Sequence, residues 1–238
     1  MKYRLLLLLL IAFKGYAQYP FEKYPAIKYD SIAIRTELSK GKLLKRVAVY
    51  KQYQFVFLPE KDTSSDTPNF LIYRRNKLIN KLALGVSVSF DFFEKIYVGD
   101  VDGNGLADFK IIVCNNGSGM AGSYETKVFL FQQTDGRFKI ISFMDLFENT
   151  ERDLNHDGRY EIVGQTYYRY KEHAYFLFDL YSFSNGRIVN VSRRYGYPIA
   201  VPFTYKWSYK PTDRMPKKIL LQASNKVPEN YKVWENIK

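Results

Sequence analysis

The stretch GDVDGNGLADFKIIV, Gly99 to Val113, sets an acidic or amide side chain at alternate positions from Asp100 and then turns apolar. The stretch DLNHDGRYEIV, Asp153 to Val163, repeats that order 53 residues later and also runs straight into an apolar segment. A short loop holds a divalent cation when its tight curvature brings oxygen ligands from positions one, three, five, seven and nine to one point. In the first loop these positions are Asp100, Asp102, Asn104, the backbone carbonyl of Leu106, and Asp108. In the second they are Asp153, Asn155, Asp157, the carbonyl of Arg159, and Glu161. Position six is glycine in both, Gly105 and Gly158, where a sharp turn favours a residue without Cβ.

The donors are all hard oxygens, which selects Ca²⁺ over zinc or copper. Magnesium fits less well because it demands a small octahedron and sheds its waters reluctantly. Each loop carries its own ligand set, so two ions are expected to bind independently. Asp, Asn and Gly are also the residues of ordinary polar turns, but two copies with matching ligand order and matching glycine favour the metal. An EF-hand is excluded, because its position-twelve glutamate is replaced by Ile111 in one loop and Gly164 in the other.

Both loops open strands, and the rest of the chain reads the same way. RVAVYKQYQFVFL, KVFLFQQ, FKIIS, AYFLFDLYSF and RIVNVS are short, rich in β-branched and aromatic residues, and bounded by turn formers. Tight hairpins are expected at Asp135-Gly136 and Asn185-Gly186, and a third at Asn76-Lys77 within FLIYRRNKLINKLAL. Helical periodicity of useful length is absent, apart from one turn in SFMDLFENT. The expected class is all-β and antiparallel.

The loop-then-strand pattern resembles the calcium loops of FG-GAP and VCBS repeats, the family that includes the integrin α-chain head. That resemblance implies β-propeller blades and calcium at Asp100, Asp102, Asn104, Leu106, Asp108 and at Asp153, Asn155, Asp157, Arg159, Glu161. The Phe-Gly and Gly-Ala-Pro signatures of the family are missing, and the chain is too short for seven blades, so the resemblance implies a small or incomplete propeller. Three blade-like units are expected at about 27–87, 88–146 and 147–195, forming a β-repeat domain over 18–195. A C-terminal segment, 196–238, belongs to the same domain; its KKILLQAS is expected as a strand that closes the architecture on the first unit.

The start of the chain, basic residues followed by the apolar run Leu5 to Phe13 and small residues at Gly15 and Ala17, reads as a signal peptide over 1–17. The run is well short of the ~20 residues that span a bilayer, so no transmembrane segment is expected. The protein is therefore expected to be exported, periplasmic or extracellular. The full sequence carries a formal net charge of +12, and loss of Lys2, Arg4 and Lys14 with the signal peptide leaves +9, which favours acidic partners such as an anionic glycan or another envelope or extracellular protein. Without a dense basic run, no specific nucleic-acid footprint is expected.

Cys114 is the single cysteine, expected as a small buried hydrophobe. CNNGSGMAGSY lacks the Gly-Lys-Ser/Thr of a phosphate loop and reads as a connection whose residues 115–123 offer a contact surface. TYYRYKEHAYF and TYKWSYK interleave aromatics and cations, a composition that stacks on sugars or bases but equally suits half-buried strands. Neither His156 nor His173 has an identifiable catalytic partner. The expectation is a non-enzymatic calcium-binding module for binding, adhesion or scaffolding; the alternative is a calcium-dependent polysaccharide hydrolase or lyase.

Overall fold

The computed structural model describes residues 18–40, 42–59, 69–84, 94–114, 119–204 and 209–235. The proposed signal peptide and the centre of TYKWSYK lie outside them, as do residues 115–118. Alternating apolar residues build three antiparallel sheets. The first is a meander of β2 (Arg35–Ser39), β3 (Lys42–Tyr50), β4 (Tyr53–Phe57), β5 (Phe70–Arg74) and β6 (Lys77–Leu82). The central sheet has the order β1 (Asp30–Ala33), β7 (Lys95–Gly99), β8 (Asp108–Cys114), β9 (Tyr124–Gln132), β10 (Phe138–Leu146) and β15 (Glu229–Trp234). The third pairs β11 (Ile162–Tyr170) with β12 (His173–Ser184), while β13 (Arg187–Asn190) and β14 (Ile199–Pro202) share the other edge of β12. None of the three sheets closes on itself.

Side-chain alternation decides how the sheets meet. Phe109, Ile111, Val128, Leu130, Phe138 and Ile140 leave one face of the central sheet and pack on Phe55, Phe57, Phe70 and Ile72 of the first sheet. Phe129, Phe131, Ile141 and Phe143 leave the other face and meet Ile162, Tyr181 and Ile188 of the third. Gly164 is needed here because a Cβ would come within 2.7 Å of the Tyr181 ring. Phe21 fills the third sheet's remaining inner core with Phe176, Phe178 and Val201.

Two lysines interrupt the apolar pattern on the central face. The Lys127 ammonium lies 2.5 Å from Asp145 Oδ2, and Lys110 lies 2.9 Å from Glu151 Oε1, with both lysine side chains almost wholly buried. The Tyr29 hydroxyl donates to Glu151, and the backbone N–H of Gln165 donates to Asp145, so the Lys127–Asp145 pair also ties β10 to β11. Buried ions are tolerated only with such partners.

Four local expectations are corrected. KKILLQAS is not a strand: Lys217–Ala223 form a short helix, α1, introduced by Pro216 and built from good helix formers. With Met215 it lays Ile219 and Leu220 against Tyr175, Leu177 and Ala200. The tail does pair with strands, but through β14 on β12 and β15 on β10 rather than with the first unit. SFMDLFENT begins inside β10 rather than forming a helical turn. The early hairpin turns one residue sooner than expected, at Arg75 and Asn76, whose φ values are 48° and 65°.

Candidate metal centre

The first loop joins β7 to β8 and the second leads into β11. They fold alike, position for position. Position one accepts the N–H groups of positions five and six: Asn104 and Gly105 donate to Asp100 at 3.0 and 2.8 Å, and Asp157 and Gly158 donate to Asp153 at 3.1 and 3.0 Å. Position five accepts from position seven: Leu106 N–H to Asn104 at 2.8 Å, Arg159 N–H to Asp157 at 2.9 Å. Position nine accepts from position two: Val101 N–H to Asp108 at 2.8 Å, Leu154 N–H to Glu161 at 3.1 Å. Positions four and six are left-handed in both, Gly103 and Gly105 at 70° and 79°, His156 and Gly158 at 60° and 81°. Glycine at position six serves that backbone.

The loops differ in how their carboxylates converge. Asp100, Asp102 and Asp108 each bring an oxygen within 4.8 Å of the others, the only such acidic cluster among the described residues. The second loop has Asn155 in place of one aspartate; the two oxygens of Glu161 are engaged by Leu154 N–H and the Tyr195 hydroxyl, as those of Asp108 are by the Val101 and Gln132 N–H groups. Asp108 is fully buried, its Oδ1 held by the Gln132 N–H at 2.9 Å. Burial, then the neighbouring Asp102 carboxylate, pushes the Asp108 carboxyl up to about 7. Burial likewise raises Asp102 and Glu161, whereas the Arg159 N–H lowers Asp157.

This donor set fits a hard divalent cation: three oxygens converge in a partly dry site, and a dication there would reverse the cost of keeping them ionised. Leu106 sits half-buried at the turn of the first loop, while Arg159 is exposed. The Arg159 stem lies where a Cβ on Gly103 would fall, at 2.9 Å, and its charge acts on Asp102. The two loops are thus in contact, reinforced by Tyr160 N–H donating to Val101 O at 2.9 Å.

Gln132, Tyr195 and the Arg159 side chain support the loops without being legible as partners, since each reaches a loop through tertiary packing. Cys114, expected to be buried, is half-buried on β8, and burial raises its thiol pKa. No helix among the described residues is long and apolar enough to cross a membrane.

No protein-family model, curated protein or solved structure matches this chain.

Proposed function

We propose that this chain is an exported, calcium-stabilised β protein that acts as a binding, adhesion-type or scaffold module and not as an enzyme. The convergence of Asp100, Asp102 and Asp108 carries this reading. The matched hydrogen-bond pattern of the second loop supports a second ion there, held by Asp153, Asn155, Asp157, the Arg159 carbonyl and Glu161. In finer terms, the three sheets are read as blade-like units of FG-GAP type in an incomplete propeller, supported by the face-to-face packing of the first and central sheets. The basic surface suits an anionic glycan or an acidic partner protein.

Calorimetry on protein stripped of divalent ions tests the reading. Calcium is expected to titrate two sites in the wild type and one in Asp100→Ala/Asp102→Ala. Heat no greater than that of buffer would refute it.

A further inference from the structure

Two clefts flank α1 and meet at one cation. The larger, about 700 Å³, runs between α1 and β14, with Pro198, Ile199, Met215, Leu220 and Leu221 among its walls. Its charged lining is Arg193, Asp213 and Lys217. The smaller, about 460 Å³, lies on the other side of Arg193 and Leu221; its charged residues are Arg193, Arg194 and Lys226, with no acid among its lining. Ligand pockets commonly fall in this size range and combine apolar walls with a few convergent polar groups.

The cations differ in how far they are committed. Arg194 hydrogen-bonds Tyr195 and its charge acts on Asp157 of the second loop. Arg193 and Lys226 are exposed and take part in none of the ion pairs of the described residues. Arg193 is nevertheless mounted on a fixed base. The turn Ser192–Tyr195 is pinned where the Ser192 hydroxyl donates to Asp179 at 3.0 Å and accepts from the Leu180 N–H at 2.9 Å. The far wall is tied to it by Asn190 Nδ2 donating to Asn225 O at 2.6 Å. The fixed turn sets where the guanidinium can reach, and its planar fork of donors suits the paired oxygens of a carboxylate or phosphate.

We infer that these two clefts, which share Arg193 and Leu221 in their walls, bind a single amphipathic anion, its carboxylate or phosphate head at Arg193 and Lys226 and its apolar body along Ile199, Met215 and Leu220. The apolar cleft alone would accept any greasy molecule; Arg193 and Lys226, outside every ion pair of the described residues, with Asp213 the single acid lining either cleft, select the anionic one. The site shares no residue with the proposed calcium ligands and stands or falls separately from them.

The probes are dodecanoate and dodecyl phosphate, held below their micelle concentrations and titrated by calorimetry, with dodecyl maltoside and acetate as tail-only and head-only controls. Both anionic probes are expected to bind with one-to-one stoichiometry, and both controls at least tenfold more weakly. If only one anionic probe binds, the head chemistry is narrowed to that group and the site is upheld. Arg193→Gln should weaken binding about tenfold, the worth of a charge-assisted contact. Leu220→Glu, on a half-buried position, should do likewise by setting a negative charge in the apolar wall; far-UV circular dichroism checks that each variant folds. Dodecyl maltoside binding as tightly as the anions, neither anion binding, or undiminished binding by folded Arg193→Gln would overturn the inference.

Discussion

A Cβ built on Gly103 would lie 3.0 Å from the carbonyl oxygen of Gly158, so the two acidic loops touch backbone to backbone. Gly105, two residues on, has a similar φ of 79° but open space around it. The pair separates two costs that usually come together. Gly105→Ala should lose only the left-handed penalty, roughly 1–2 kcal/mol. Gly103→Ala should lose that and more, because the second loop must also move. Urea unfolding checks the order; equal losses would mean the loops do not bear on each other.

Contact between the loops bears on calcium as well. If the ions act through the folded state alone, each site adds RT ln(1 + [L]/Kd), roughly 1.4 kcal/mol at tenfold excess over Kd. Chelation should lower Tm, and Asp153→Ala/Asp157→Ala should remove about half of the calcium-dependent gain. A larger share would measure coupling through Gly103, Gly158 and Arg159.

Acid titration of the stripped protein should show an unusual sign. The Asp108 carboxyl titrates near 7 in the folded state against an ordinary value of 3.8, so between these limits the folded chain holds more protons than the unfolded one. Its contribution to stability is then full below about pH 4 and declines as pH rises towards 7. Calcium should abolish the decline, and Asp108→Asn should flatten it. Denaturant midpoints measured from pH 4 to 8, with and without calcium, decide; a wild-type slope from this group that calcium leaves unchanged would count against the site.

The buried Lys127–Asp145 pair sets a further test. Lys127→Met strands an aspartate that is 2% exposed and should cost about 3–5 kcal/mol. Replacing both residues, Lys127→Met with Asp145→Leu, should recover part of that loss, held back by the Gln165 and Leu146 N–H groups that Asp145 also serves. Urea unfolding of the single and double variants reads the difference.

Strands such as β9 and β12 were legible because their apolar and β-branched runs are bounded by turn formers, and Asn185-Gly186 marked its hairpin through the positive φ both residues adopt, 52° and 83°. The acidic loops were legible because their partners lie within nine residues. What the sequence hides is long-range. A lysine within a strand reads as facing solvent, yet Lys110 and Lys127 lie inside because Glu151 and Asp145 come to meet them. The run ILL in α1 is too short for its period to distinguish helix from strand, and only Pro216 and the surrounding helix formers favour the former. No local pattern announces that β1 will pair with β7, or β15 with β10.

The central sheet takes its two outer strands from distant parts of the chain, Asp30–Ala33 and Glu229–Trp234. A polypeptide emerging from a ribosome or threading through a pore delivers β10 long before β15. Until Trp234 has emerged, β10 presents an unpaired edge whose N–H and C=O groups invite pairing with any passing strand. Completion of this sheet therefore waits for Glu229–Trp234, and during that interval β10 is an edge open to pairing with neighbouring chains.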